Sequence, residues 1–135
     1  PFGKGNIITS GDELTIVSWG AMVQKTIEAI KSLGLDEGQI ELIDPRTLNP
    51  LDLDLIKSSV RKTGKVLIVH EDNITCGPGA ELSALITEQC FEFLDAPVNR
   101  IGSKNSPIPF HKILEDEILP QIDTISSKII ELLEY

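Results

Sequence analysis

Cysteine is scarce in this sequence, since Cys76 and Cys90 are the only two. Two cysteines are too few for a disulfide scaffold, and their spacing fits neither a C-x-x-C redox pair nor a zinc site. We therefore expect both to be reduced thiols, which is typical of a protein of the cytoplasm or, in a eukaryote, of the mitochondrial matrix.

Positive charge and long apolar runs are also scarce. Twelve Lys and Arg residues stand against 21 Asp and Glu residues, which gives a formal net charge of −9. A surface of that sign repels the phosphate backbone, so we expect no nucleic acid partner and favour a basic protein surface instead. No apolar run approaches the roughly 20 residues of a membrane span, and the N-terminus lacks the regions of a signal peptide. We expect no membrane partner.

Two periodicities alternate along the 135 residues, a length that suits one domain. The strand-like runs are KGNIITSG, ELTIVSW, QIELI, KVLIV and APVNRI. The helical stretches run from Ala21 to Gly34, from Asn49-Pro50 to Gly64, through GAELSALITEQCFEF, and from Ile118 to Leu133 with Pro120 in the first turn. In the first helix, the residues predicted to face the core are Val23, Ile27, Ile30 and Leu33.

This alternation predicts right-handed crossovers and a three-layer α/β/α fold around a mostly parallel sheet. KGNIITSG lies too close to the next strand for a helical crossover, so it is predicted to be an antiparallel edge strand. The two-periodicity pattern thus assigns residues 1–135 to a single α/β domain.

Polar residues follow several predicted strands, at the sheet edge where ligands usually bind. They include Asp44, Arg46, His70 and Glu71. These residues could form an anion site or only a polar rim. Because His70 and Glu71 are adjacent in a strand, their side chains should point to opposite faces, which argues against an acid/base pair.

The elbow Gly77-Pro78-Gly79 also has two interpretations. Its backbone N–H groups could bind an anion at the start of a helix. Alternatively, the glycines permit a tight turn and close packing of the helix on the sheet. We favour the packing interpretation because the motif has neither the Lys of a P-loop nor the third glycine of a dinucleotide fingerprint.

Several stretches, in order, resemble a known family. They are GDELTIVSWGAMV, DPRTLNPLDLDLI, KTGKVLIVHEDNITCGPGAEL, CFEFLDAPVNRIGSKNSPIPF and the closing LLEY. Together they resemble the C-terminal domain of the β subunit of thiamine diphosphate-dependent 2-oxoacid dehydrogenases, which act on pyruvate or branched-chain 2-oxoacids. The second and third stretches are also similar to the C-terminal domains of transketolase and deoxyxylulose-phosphate synthase. Asn105 stands where the family usually has aspartate.

The resemblance implies a five-stranded mixed sheet with one antiparallel edge strand, in a chain that is about the last third of a longer β subunit. It also implies that thiamine diphosphate and Mg²⁺ bind to other domains. Consistent with this, the only Gly-Asp pair, Gly11-Asp12, is followed by Glu13 and does not begin a G-D-G motif. Neither His70 nor His111 matches a catalytic histidine of the family, so we expect no catalytic, cofactor or metal residue here.

The function that the resemblance implies is assembly and docking. The expected partners are the other β subunit, the α subunit or domain, and the basic subunit-binding domain of the dihydrolipoyl acyltransferase. Asp95 matches the acidic position of the family's L-[DE]-A-P motif, and Tyr135 ends an amphipathic helix with its carboxylate free to accept arginine. Both are predicted docking residues. The alternative is an independent domain that binds a small molecule or anion at the glycine elbow.

Overall fold

A computed structural model describes residues 1–135 as a mixed five-stranded sheet between two layers of helices. The elements are β1 (Asn6–Thr9), β2 (Leu14–Ser18), α1 (Ala21–Leu33), β3 (Ile40–Asp44), α2 (Leu53–Thr63), β4 (Val66–Asn73), α3 (Pro78–Cys90), a 3₁₀ turn (Phe91–Phe93), β5 (Asn99–Ser103), α4 (Lys112–Ile118) and α5 (Ile122–Glu134). The strand order is β1-β3-β2-β4-β5, with β1 antiparallel to β3 and all other pairs parallel. The predicted fold class and the antiparallel edge strand are confirmed.

Alternate strand residues supply two apolar cores, one on each face of the sheet. On the first face, α1 and α5 bury Met22, Ala29 and Ile129 against strand residues such as Ile16 and Val69. On the second face, α2 and α3 cover Val17, Ile43, Val66 and Ile68 with Ile56, Val60, Leu82 and Ile86. The central strand β2 is buried along its whole length, as expected for a parallel strand covered on both faces.

Helix ends were predicted well where a glycine ends the helix, and less well elsewhere. Gly34 and Gly64 follow α1 and α2 in the left-handed conformation, as predicted. The prediction that α2 starts at Asn49-Pro50 is wrong, because Asp52 caps a helix that begins at Leu53. One Asp52 oxygen accepts from the backbone N–H of Leu55, and the other from that of Gly5 at 3.1 Å, so a contact distant in sequence selects this cap.

The buried face of α1 is also rotated from the predicted one. Met22, Thr26 and Ala29 are fully buried, whereas Ile27, Ile30 and Leu33 lie on its flank and pack only partly against the core. The neighbour that the sequence pattern did not include is α5, whose buried residues join the same cluster as α1. Two helices, α1 and α5, share this face of the sheet, and Ile30 lines a surface depression with Thr9 of β1 and Ile40 of β3.

Two further differences from the prediction concern the end of β4 and the region between β5 and α5. Strand β4 continues through His70 and Glu71 to Asn73, beyond the apolar run KVLIV that defined the prediction. Helix α4 was not predicted, and Pro120 is buried between α4 and α5 rather than in the first turn of α5. No helix has the length and apolarity needed to cross a membrane.

Candidate functional site

The carboxyl edge of the sheet contains a topological switch point between β2 and β4. These strands are neighbours, but α1 connects β2 to β3 on one side and α3 connects β4 to β5 on the other. In open α/β sheets, ligands usually bind in the crevice that such diverging connections leave. Here the residues at that point are Ser18, Trp19 and His70.

The switch point is filled by a stacked pair of rings. The Trp19 and His70 rings lie 5.1 Å apart between centroids, with 10° between their planes. The indole N–H of Trp19 donates to the Asp72 carboxylate at 3.3 Å. His70 is fully buried, and neither of its ring nitrogens has a hydrogen-bond partner. The crevice therefore holds side chains where a ligand would otherwise sit.

The imidazole of His70 is held in its neutral form. Burial lowers the pKa of His70, the nearby Asp72 partly opposes this by favouring the charged ring, and the Arg100 guanidinium lowers it further. The ring has no solvent-exposed face in this structure.

The glycine elbow is shaped by the same ring. A Cβ atom on Gly79 would collide with Nε2 and Cδ2 of His70, and a Cβ on Gly102 would lie 2.8 Å from its Cε1. A Cβ on Gly77 would collide with the backbone carbonyl of Asn73. Pro78 has no N–H to offer an anion, and Ala80 already donates its own to the carbonyl of Gly77. These contacts support the packing interpretation of the elbow.

The other predicted rim residues are dispersed. The Asp44 carboxylate accepts from the backbone N–H of Arg46 at 2.8 Å, which closes a local turn after β3. The Glu71 carboxylate lies beside Gly20, at the start of α1. The structure brings His70 together with Gly79 and Asp44 together with Arg46, but it leaves the Asp44–Arg46 turn after β3 and Glu71 on β4 at separate positions along the edge.

At the opposite, amino edge, the structure brings the two predicted docking residues together. Asp95 and Tyr135 line one surface depression of about 490 Å³, together with Phe91, Leu94, Pro97 and Val98. The backbone N–H of Asp95 donates to the Gly64 carbonyl at 2.8 Å, which fixes the loop before β5. Phe91 and Tyr135 are 75% and 69% exposed, so the depression is lined by two exposed aromatic side chains as well as by Asp95. The sequence reasoning had placed no role on Phe91.

A second exposed surface follows β5 at the carboxyl edge. We call it the apolar strip: Ile108, Phe110, Ile113 and Leu114, which are 53%, 109%, 68% and 54% exposed. Four large apolar side chains within seven residues exceed the scattered exposure normal for a monomer surface. The SPIPF motif that precedes α4 was the available sequence signal.

Comparison with known proteins places the chain in a family. Residues 3–125 match the transketolase C-terminal domain. Over 98% of its length the chain is 38% identical to the β subunit of an acetoin:2,6-dichlorophenolindophenol oxidoreductase of Bacillus subtilis, and it covers 39% of that protein. It is 38% identical to the pyruvate dehydrogenase E1 component subunit β of Rickettsia bellii, over 94% of the chain and 39% of that protein.

One further sequence relative and one solved structure agree with this assignment. The mitochondrial 2-oxoisovalerate dehydrogenase subunit β of Dictyostelium discoideum is 37% identical over 96% of the chain, which covers 36% of that protein. A solved split-gene transketolase, an inactive β4 tetramer, superposes with a TM-score of 0.80 at 25% identity, over 98% of this chain and 42% of that one. The chain thus spans about two fifths of the length of the curated relatives that it matches. It belongs to the transketolase C-terminal domain family.

Proposed function

We propose that this chain is the C-terminal domain of the β subunit of a thiamine diphosphate-dependent dehydrogenase, in which it serves assembly and docking. The observation that supports this most is the identity of 37–38%, over nearly the whole chain, to β subunits named for pyruvate, 2-oxoisovalerate and acetoin. The reaction of the parent enzyme is then the oxidative decarboxylation of pyruvate or a branched-chain 2-oxoacid, with acyl transfer to lipoyl groups. The Bacillus subtilis relative is named for acetoin, a hydroxyketone without a carboxylate, so its reaction is not a decarboxylation of a 2-oxoacid.

Thiamine diphosphate and Mg²⁺ belong, in this proposal, to other domains of the enzyme. The switch point of this domain is occupied by Trp19 and His70, and its glycine elbow faces an imidazole. The alternative function, an independent domain that binds a small molecule or anion, has less support for the same reason. The parent subunit would act in the cytoplasm or the mitochondrial matrix.

The depression around Asp95 is the proposed docking site for the basic subunit-binding domain of the acyltransferase. A depression lined by a carboxylate and two exposed aromatic side chains suits an arginine or lysine, since the rings can pack on its stem while the carboxylate pairs with its charge. The net charge of −9 adds a long-range attraction to such a partner.

Changing Asp95 to lysine in the assembled dehydrogenase should weaken docking by roughly 1 to 3 kcal/mol, or about 5- to 150-fold in Kd. Tyr135→Ala should weaken it less, through lost packing. Surface plasmon resonance against the subunit-binding domain at low and high salt would measure both. Glu28→Lys, the same charge change on α1, is the matched control. Unchanged affinity of both depression variants would remove Asp95 and Tyr135 from the interface.

The apolar strip is the proposed surface for pairing β subunits. Lys112 begins α4 and Glu115, Asp116 and Glu117 lie nearer its end, so two copies packed antiparallel would face opposite charges. The strip follows the carboxyl end of β5, whereas Asp95 precedes its amino end, so both surfaces can be occupied at once. That the related split-gene transketolase forms a β4 tetramer is consistent with pairing through β chains alone.

Phe110→Ser combined with Ile113→Ser should therefore shift the parent β subunit from its paired form toward the monomer. Loss of two buried apolar side chains at each of two symmetric contacts would cost about 4 kcal/mol or more, which is roughly a thousandfold in the dimer Kd. Analytical ultracentrifugation across protein concentration measures this. Phe91→Ser is the control: it also replaces an exposed phenylalanine with serine, but at the opposite edge of the sheet, and it should leave pairing unchanged. If the Phe110→Ser, Ile113→Ser double variant paired as tightly as Phe91→Ser, the apolar strip would be excluded as the pairing surface.

A further inference from the structure

His70 is enclosed in a way that only its neutral form can tolerate. The ring is stacked on Trp19, lies under Gly79 of α3 and touches Gly102 of β5. It is fully buried, and both of its nitrogens lack partners. An imidazolium has two N–H donors and a full charge, and apart from the backbone of Asp72 this enclosure offers no acceptor, so at least one donor would be left unpaired.

Few charged groups surround the ring. Asp72 lies two residues further along β4 and favours the protonated ring, while Arg100 on β5 disfavours it. On α3 the titratable residue of the first turn is Glu81, which is exposed, and the end of β2 contributes Ser18 and the following Trp19, neither of which is charged. The Asp72 carboxylate already accepts from the Trp19 indole, so it is the acceptor to which a charged ring would turn.

We propose that His70 is a pH-dependent latch that fixes the first turn of α3 and the segment 71–79 on the sheet. When the ring gains a proton, it leaves its enclosure for the Asp72 carboxylate, displaces the Trp19 indole from that oxygen and removes the contact beneath Gly79. The first turn of α3 then loses its main packing partner. Opening is driven by relief of a desolvation penalty, because the closed form would keep the charged ring out of water without compensating its charge.

The segment released by the latch is tied to the loop that carries the apolar strip. The backbone N–H of Ile74 donates to the Ser103 carbonyl at 3.1 Å, and the Ile74 carbonyl accepts from the Arg100 guanidinium at 2.6 Å. The amide of Asn105 donates to the Thr75 hydroxyl at 2.7 Å. Opening of the latch should therefore loosen residues 103–107 as well. Any resulting effect on subunit pairing through the apolar strip rests on the proposed function; the latch itself does not.

Trp19 is the only tryptophan, so its fluorescence reports the latch directly. In a titration of the full chain from about pH 8 to about pH 5, the emission should shift in a single step centred below 6.5, the ordinary pKa of histidine, while far-UV circular dichroism stays constant. His70→Phe and His70→Leu should abolish that step. Asp72→Asn, which removes the negative charge that favours the protonated ring, should move the step to lower pH.

Hydrogen exchange of the wild-type chain provides a second measurement that requires no variant. Between about pH 7.5 and about pH 5.5, after correction for intrinsic rates, amides 71–80 should lose protection by about tenfold, while those of β2 and α5 should not. Uniform loss across the chain, or an emission step that persists in both His70 variants, would overturn the latch. Neither measurement depends on subunit pairing, so a failed latch leaves the assembly proposal standing, and the reverse also holds.

Discussion

Replacing Gly79 with valine should lower the free energy of unfolding by about 3 kcal/mol or more, among the larger effects that a single substitution produces. The reason is steric. A Cβ atom at this position collides with the His70 ring, which Trp19 and Gly102 prevent from moving aside. A β-branched side chain adds two further carbons to a site that has no room for one.

Urea unfolding monitored by circular dichroism would measure this, and two controls isolate the cause. Gly34→Ala introduces a side chain where no atom lies within 4 Å and should cost only the left-handed backbone strain, about 1 kcal/mol. In a double-mutant cycle, Gly79→Ala should be strongly destabilising alone but much less so beside His70→Ala, because the smaller residue makes room for the methyl group. Additive effects in the cycle would show that the His70 ring is not the obstacle.

The sequence predicted those features of the fold that are set by local rules. Gly34 and Gly64 end helices because glycine adopts the left-handed conformation readily, and this signal requires no knowledge of neighbours. The alternation of strands and helices likewise predicts crossovers on both faces. By contrast, the face that α1 buries depends on α5, which lies about a hundred residues away in sequence, and the cap at Asp52 depends on Gly5.

The candidate sites divide in the same way. The resemblance singled out Asp95 and Tyr135 separately, but their meeting in one depression, with Phe91 beside them, is a property of the folded chain. His70 was placed at a strand end from its position after KVLIV, which leaves its burial undetermined. That burial follows from Gly79 and Gly102, two residues without side chains that allow α3 and β5 to approach the ring. Glycines far apart in sequence gave no signal that they flank one imidazole.

Removal of the Lys62 charge is expected to have the second large effect on folding stability, because it leaves a buried carboxylate without its cation. Glu41 on β3 is only 3% exposed, and its carboxylate pairs with the Lys62 ammonium and accepts from Ser10 and the backbone N–H of Gly11. Burial raises the pKa of Glu41, but hydrogen bonds from Lys62, Ser59 and Gly11 outweigh this, so the net pKa lies below the ordinary 4.5.

The direction of the pH effect follows from that shift. Because the carboxyl group binds its proton less readily in the folded chain than in the unfolded one, its contribution to stability is complete above pH 4.5 and is lost as the pH falls through the folded pKa. Lys62→Met should raise the folded pKa of Glu41 and reverse part of this dependence. The variant should therefore be most destabilised at neutral pH and approach the wild type in acid.

At pH 7 we expect Lys62→Met to lower the free energy of unfolding by about 2 kcal/mol, less than for a fully buried pair because the Lys62 side chain is 43% exposed and solvent screens its charge. Urea unfolding at about pH 7 and about pH 4 gives both values. Lys128→Met removes the cation of an exposed pair with Glu131 and should change stability by less than about 0.5 kcal/mol at either pH. An equal loss of stability for Lys62→Met at both pH values would contradict this. The contribution of Lys62 would then come from its packed methylene stem, and Ser10 and Gly11 alone would stabilise the Glu41 carboxylate sufficiently.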